Sequence, residues 1–582
     1  DWFSMATRTD SAAGTRSVVG PAEYFSYPDR YNLQGSASYV TGSHNVKVGV
    51  QDSWGPYNQA YYANADMSET FNAGIAQSVT LYSTNPHFQE RLNANLGIYG
   101  QDAWTMRHAT INVGLRWEYL NEQVTGQPAQ PGTFAYIPAF DDIKLKTQKD
   151  FSPRISLVYD LFGNGKTAIR VGYNKFLASA TTGLAAAIDP ANGANVTQVV
   201  SWTDLNKDGI AQYSVSHDAD HNLVGCAYQT PGCELNFAQV KKGFGTVALS
   251  QYDPGFQRPY QNQYNIGISH ELLPGVNVTG EWFRTVSKDI TFTTNNTLRP
   301  GTYNAATNTV TNPSYRQLTV FSPFDGSAIT VYDTTAASQP LVLNTIITDP
   351  DRSQVYNGFD LTVNARLPRG ARLFGGTTTE RTLANDCSTA ATNPNNLNYC
   401  DTALVGIPWR TQFKLSGSFP LPWYGVSASF SLQALPGYVL NGATYSVTAS
   451  TRYAVCPGDS ASHGCVVGAL VDPGQVTSTI SVPLDAPGTT LTPRTNQLDL
   501  GFAKRLSFGR VRLNPKLDLF NALNSSDYFS VRSSTYAPSA VAGAVPLTPS
   551  AQFVPTAAGA NFRQPASILQ GRILRLGATM TW

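Results

Sequence analysis

The sequence predicts an all-β protein, a large antiparallel transmembrane β-barrel with short turns at one end and long loops at the other. Three observations predict it. Apolar and polar residues alternate with period two in many segments, these segments come in pairs joined by tight turns, and long polar stretches separate the pairs. The composition agrees, with 14% charged residues, 29 Tyr, 27 Phe and 48 Gly in 582 residues and a mean hydropathy of −0.21. No apolar run reaches the roughly 18 residues that a membrane-spanning helix needs. A net charge of +1 without a basic cluster argues against nucleic acid as a partner.

The strands read as follows. Val46, Val48 and Val50 alternate with Asn45, Lys47 and Gly49. Ile111, Val113, Leu115, Trp117 and Tyr119 alternate with Asn112, Gly114, Arg116 and Glu118. Ile169, Val171 and Tyr173 alternate with Arg170, Gly172 and Asn174, and Phe359, Leu361 and Val363 with Asp360, Thr362 and Asn364. Val426, Ala428, Phe430 and Leu432 alternate with serines, and Leu513, Leu517 and Leu519 with Arg512, Lys516 and Asp518. The apolar face suits lipid and the charged face a wet lumen. A soluble sandwich alternates too, so the connections must decide.

Short turns are expected at 41–44, 106–109, 162–166, 272–275, 367–370, 420–425 and 506–510, most of them rich in Gly, Pro or Asn. Long polar segments are expected at 54–93, 121–150, 177–260, 286–355, 381–408, 434–493 and 521–571. Tight periplasmic turns and large external loops are the rule for bacterial barrels. Seven hairpins plus a last strand make roughly fifteen strands, the first near Leu33–Val40, with 1–30 as the end of an external loop. An odd number does not close an antiparallel bacterial barrel, so strands are expected upstream. For a barrel of about 22 strands, roughly seven would lie outside residues 1–582. The chain opens at Asp1 with neither Met nor a signal peptide, as a processed chain or a fragment does.

The six cysteines form three close pairs: Cys226 with Cys233, Cys387 with Cys400, and Cys456 with Cys465. All fall in long segments and none has CxxC spacing, so three disulfides stapling coreless loops are expected. Asp204-Leu-Asn206-Lys-Asp208-Gly209 has the opening of a calcium loop, three oxygen ligands at alternate positions before a sharp turn. Val215 stands where the bidentate Glu of an EF-hand belongs, which leaves Asp218 or Asp220 to complete a site, or a plain Asx-rich turn. His217 and His221 beside those aspartates read as a solvated polar loop rather than a transition-metal site.

No nucleophile elbow, HExxH, Walker loop or dinucleotide fingerprint occurs, and no catalysis is expected. Gly375-Gly376 marks a bend or close approach in a strand. Tryptophans such as Trp54, Trp104, Trp117, Trp282, Trp409, Trp423 and Trp582 fit interfacial girdles, with carbohydrate stacking a minor alternative for Trp202. The charges Arg116, Glu118, Arg170, Arg366, Arg512, Lys516 and Asp518 are expected to line the lumen, mostly in plain solvation.

The final strand, Arg575-Leu-Gly577-Ala-Thr-Met580-Thr-Trp582, is apolar on one face and stops on an aromatic. It resembles the terminal signal read by the outer-membrane barrel assembly machinery. Leu96-Gly-Ile-Tyr-Gly-Gln-Asp-Ala-Trp104 and Ile111-Asn-Val-Gly-Leu-Arg-Trp-Glu-Tyr119 resemble a hairpin of the TonB-dependent outer-membrane receptors. Phe151-Ser-Pro-Arg-Ile155, Gly163-Asn-Gly-Lys-Thr167 and Arg170-Val-Gly-Tyr173 resemble that family's next hairpin. Pro259-Tyr260, Tyr356-Asn-Gly358, Leu519-Phe-Asn-Ala-Leu-Asn524 and the last strand follow in the family's order, and the spacing is most similar to the Oar-like branch.

The resemblance covers essentially the whole chain but only the C-terminal barrel portion of the family. Plug, TonB box, first strands and the carboxypeptidase-regulatory-like domain of the branch are expected outside residues 1–582, which hold no second domain. It implies a bacterial outer-membrane location and ligand uptake through a plugged barrel. Its implied partners are membrane lipid, the barrel assembly machinery, a TonB-type energy-coupling complex reached through the missing segment, and an unidentified ligand. A passive porin or surface adhesin is the second reading, favoured by a gene without a plug. A soluble β-rich carbohydrate-binding protein or enzyme is the third, and it predicts extraction without detergent.

Overall fold

The computed structural model describes residues 4–582 apart from 18–21, 84–86, 180, 194–196, 241–243, 246–248, 296–300, 322–327, 335–342, 423–424, 441–443, 449–478, 484, 532–534 and 537–563. One curled, antiparallel sheet makes a barrel wall. Its strands are β1 (Tyr31–Thr41), β2 (His44–Ala63), β3 (His87–Met106), β4 (Ala109–Val124) and β5 (Gln148–Asp160). There follow β6 (Thr167–Leu177), β7 (Tyr260–Leu273), β8 (Val276–Lys288), β9 (Ser353–Arg366) and β10 (Arg372–Asn385). The wall ends with β11 (Arg410–Pro420), β12 (Val426–Leu435), β13 (Thr495–Lys504), β14 (Val511–Phe520) and β15 (Ile573–Thr581). Each strand bonds its neighbours in sequence, as period-two hairpins in series require. Three short segments prolong the wall: Ala22–Pro28 continues β1 along β2, Ile143–Lys144 continues β5 along β4, and Leu506–Phe508 continues β13 along β14.

Among the described residues the count is therefore fifteen. Because the strands alternate in direction, β1 and β15 run the same way. Among the described residues β1 bonds only β2 and β15 only β14. Every residue of both is exposed.

All seven tight turns lie at one end and all long connections at the other. The turn expected over 506–510 is shorter, because Leu506–Phe508 pairs with Val511–Leu513. The loops expected at 54–93 and 121–150 are narrower as well, since β4 reaches Val124 and β5 starts at Gln148, and β2 and β3 each run for 20 residues. That exceeds the 9–11 or so residues needed to cross a bilayer, so both strands rise into water above the membrane. There neither face needs to be apolar, and the alternation on which the sequence reading depends fades.

Within the wall the outward face is apolar and bare. Val113 and Leu115 are 50% and 51% exposed, and Phe151, Ile155, Ile266, Phe359 and Leu361 are exposed likewise. In water such a surface would aggregate, whereas lipid leaves it no unsatisfied group. Gly375, with φ +156°, lets β10 and β11 approach closely, since a Cβ there would stand 2.2 Å from the Lys414 carbonyl oxygen.

The wall sends its apolar side chains outward, so the buried core lies in the external layer. The layer is folded, contrary to the expectation of coreless loops. Thr7–Asp10, Thr15–Ser17, Met67–Asn72, Ile75–Tyr82 and Thr197–Ser201 form a five-stranded sheet there. Val79, Leu81, Phe134, Val200, Trp202 and Leu235 pack on it as a hydrophobic cluster. A second cluster, with Val124, Ala185, Ile188 and Phe256, seats the short helices α1 (Gly183–Ile188) and α2 (Pro190–Gly193) over the upper ends of β3 and β4.

Candidate functional site at the barrel mouth

On β4, residues facing away from lipid converge on a buried cation. Arg258 is 6% exposed and donates from Nη1 to Glu118 at 2.9 Å and from Nε to the Ala178 carbonyl at 2.8 Å. Arg116 donates to the other Glu118 oxygen at 3.2 Å. A Cβ on Gly97 would lie 1.9 Å from Arg116 Nη2, so this glycine leaves the space the guanidinium occupies. Arg116 and Glu118 are thus a paired luminal network and not solvated charges. Asp518 is likewise paired, with Arg575 at 2.6 Å.

Above this network α1 and α2 cover three fully buried carboxylates, Glu90, Glu122 and Asp189. A register shift between Leu92 and Ala94 on β3 turns Glu90 inward. Asp189 Oδ1 caps α2, accepting the Ala191 N–H at 2.8 Å, while Oδ2 has no hydrogen-bond partner among the described residues. The sequence reading missed all three. The only local signals are an Asp before Pro190 at a helix start and a Glu at an inward position of β4.

Burial pushes Asp189, in the loop layer, from an ordinary 3.8 up to about 6. The native state therefore holds a proton between those values that the released loop gives up, so docking weakens as pH rises through that window. Asp189→Asn keeps the cap oxygen without the charge. It is expected to tighten docking of residues 183–193 at pH 7 by up to roughly 3 kcal/mol and to flatten its pH dependence. Hydrogen exchange of the 183–193 amides between pH 4.5 and 7 reads both; unchanged protection would exclude this role for the charge.

The Asp204–Gly209 turn hangs from two other buried carboxylates. Glu69 accepts the Ala211 N–H at 3.0 Å, and Glu234 accepts those of Leu205 at 2.8 Å and Gln212 at 3.1 Å. Within it Asp204 accepts the Gly209 N–H at 2.9 Å, Asn206 that of Asp208 at 3.1 Å, and Asp208 that of Ile210 at 2.8 Å. The Ile210 N–H and the Asn206 amide hold Asp208 below the usual carboxylate range. Asp218 serves its own turn, accepting from Asp220 and Asn222, and His221 stacks on Tyr136 at 3.9 Å. Among the described residues no three His, Cys, Asp or Glu side chains converge as metal ligands.

Trp202 is 2% exposed and donates to Glu234, so it is a core residue and not a stacking platform for sugar. Cys226–Cys233 and Cys387–Cys400 are disulfides, with Cα atoms 5.9 and 4.8 Å apart. Cys456, Cys465 and Trp423 lie outside the described residues. On β15, Leu574, Leu576 and Met580 are exposed on the outward face and Trp582, just past its end, is exposed too, while Arg575 faces Asp518 and Gly577 stands opposite Lys516.

Residues of the 289–352 and 386–409 loops, with Ile480, Pro483 and Pro487, border an external cavity of about 870 Å³. Cys400, bonded to Cys387, lines it. Asn395 grips the backbone of Tyr332 with both arms, accepting its N–H at 2.8 Å and donating to its carbonyl at 2.7 Å. Arg352 pairs with Asp386 at 2.7 Å and lies 5.9 Å from the Phe292 ring centre. No local pattern marks this cavity in the sequence, because three loops far apart in the chain contribute to it.

Residues 4–454 match a family described as outer membrane beta barrel domain. Over 274 residues, 42% of this chain, the sequence is 22% identical to the TonB-dependent transporter Oar of Myxococcus xanthus, and the match spans 24% of that protein. The outer membrane transporter YddB from Escherichia coli superposes with a TM-score of 0.46 at 11% identity, over 98% of this chain and 57% of that one. The ferripyoverdine receptor of the outer membrane of Pseudomonas aeruginosa superposes with a TM-score of 0.42 at 10% identity, over 96% of this chain and 48% of that one. The chain spans about a quarter of the curated relative's length and about half that of the solved structures.

Proposed function

The chain belongs to the outer membrane beta barrel domain family, and on that premise we propose that it is the wall and mouth of a TonB-dependent receptor that takes up a ligand through its lumen. The observation that carries this is a fifteen-stranded wall, bare and apolar outside, with the long connections at one end, where described residues fold into a layer with its own core. The layer captures the ligand, because irregular outward segments on a rigid wall are where specificity accumulates. A TonB-type complex, acting on the plug that the resemblance implies, then opens the lumen. No covalent step is needed. Conductance of the protein purified from its own host, in a planar bilayer, tests this reading. A closed barrel supports a plugged receptor, and a steady open pore supports the passive porin. Extraction without detergent would overturn both.

The terminal strand is proposed to serve the assembly machinery. Truncating Met580–Trp582 is expected to lower the folded protein in the outer membrane several-fold at unchanged synthesis, because it strips the outward face of β15. Quantitative outer-membrane fractionation reads the effect, and normal assembly of the truncated chain would remove the role.

A structural calcium at Asp204, Asn206 and Asp208 remains part of the proposal, supported by the ionised Asp208 and the turn that Glu69 and Glu234 hold in place. Calorimetric titration of the whole protein with calcium is expected to release heat that Asp208→Asn diminishes. No heat at millimolar calcium would remove it.

A further inference from the structure

We propose that the external cavity between the 289–352 and 386–409 loops recognises a neutral oligosaccharide, an inference that rests on the reading of the external layer as the ligand-capturing surface. The volume of about 870 Å³ lies within the range of roughly 300–1,000 Å³ typical of small-molecule sites.

Charge narrows the ligand class. Among the described residues that line the cavity, Arg352 and Asp386 are the only charged ones, and they pair with each other at 2.7 Å. An anionic metal chelate or acidic peptide finds no surplus cation there, and a basic ligand finds no surplus anion. The remaining polar groups are amides and hydroxyls. Asn393, Asn396 and Asn398 line one side. Each carboxamide is engaged on one side only, Asn393 accepting the Asn395 N–H at 3.1 Å, Asn396 donating to Thr389 and Asn398 donating to the Pro483 carbonyl at 3.4 Å, so donors of the first and acceptors of the other two still face the adjacent hydroxyls of a sugar.

The aromatic groups fit the same ligand. Phe292, Tyr315, Tyr332 and Tyr399 line the cavity and are only partly buried. Flat apolar faces beside convergent amides suit a ring that is apolar on its C–H face and polar at its rim. The site is also held in shape before binding. Asn395 clamps the Tyr332 backbone, Asn396 donates to Thr389 at 3.2 Å, and the Cys387–Cys400 disulfide closes the 386–400 segment. Little ordering then remains to weaken a polar, weakly hydrophobic ligand.

The test is calorimetric titration of the full, detergent-solubilised protein with maltotetraose, cellotetraose and chitotetraose, each with and without ferric citrate. At least one sugar is expected to bind, and ferric citrate is expected not to displace it. Tyr332→Ala removes a ring without touching the backbone clamp, and Asn398→Ala removes an exposed amide. Each is expected to weaken binding about tenfold or more. Absence of binding by all three sugars at millimolar concentration, binding that both variants leave unchanged, or displacement by ferric citrate would each overturn the inference. The same preparations are assayed for outer-membrane insertion and closed conductance. Intact insertion and closure without sugar binding defeat this inference alone, whereas failure of insertion defeats the receptor reading itself.

Discussion

Replacing Leu115 with arginine will keep most of the protein out of the outer membrane. Leu115 is 51% exposed on the outward face of β4, between Gly100 on β3 and Pro153 on β5. It lies seven residues above the turn residue His108. At about 3.3 Å per residue and a tilt near 40°, that sets it about 18 Å above the turn, inside an apolar band about 25 Å tall. A cation there faces hydrocarbon, at a cost of about 2–4 kcal/mol, a substantial part of the stability of an ordinary domain. The control is Asn112→Arg. Asn112 is exposed on the opposite face of the same strand, where it donates to Ser156 at 3.1 Å. A charge added there meets water in the lumen. Denaturant titration of the two variants folded into lipid vesicles separates the faces. Equal loss in both would show that the apolar face of β4 does not meet lipid.

This asymmetry also explains what the sequence discloses and what it hides. Where a strand divides lipid from water, each residue reports its face, and Val113, Leu115 and Phe359 stand as their alternation predicts. The hairpin turns are legible for the same reason, because each is bounded by two alternating runs. Cysteines seven and thirteen residues apart find each other locally, as Cys226–Cys233 and Cys387–Cys400 do. Above the membrane the rule lapses. The upper half of β2, from Tyr57 to Ala63, mixes aromatics with Asn and Gln on both faces and reads as loop, although it pairs with β3 and with Ala22–Pro28. The external sheet depends on pairings that no local pattern announces, such as Thr7–Asp10 running parallel to Met67–Asn72. Trp202 looks like an exposed loop aromatic until Glu234 and the cluster around it are in place. The candidate sugar cavity belongs to this second regime, since its walls are assembled only after the loops have folded.

The second large effect is expected at Arg258, which fastens both feet of the 178–259 loop to the barrel wall. Ala178 follows β6, Pro259 precedes β7, and the two are joined by an N–H to carbonyl bond of 2.8 Å. Arg258 adds its own bonds to the Ala178 carbonyl and reaches Glu118 on β4. Arg258→Met fills similar space but takes that donor from the Ala178 carbonyl and leaves Glu118 with one arginine in place of two. Breaking a buried pair from one side costs about 3–5 kcal/mol, most of it from the charge left behind. Glu118→Gln should be costly from the other side, since it leaves Arg258 buried without its counter-charge. The double variant removes both charges, so its loss is expected to fall short of the sum by about 1–3 kcal/mol. Hydrogen exchange of residues 178–193 and 249–259 measures each arm of the cycle. Strict additivity would mean that the two residues act independently and that the loop is held by its apolar contacts alone. A coupled result would identify the luminal network as the fastening that keeps α1 and α2 seated over the mouth, and so as the first contact that must yield if the loop is to move when a ligand passes.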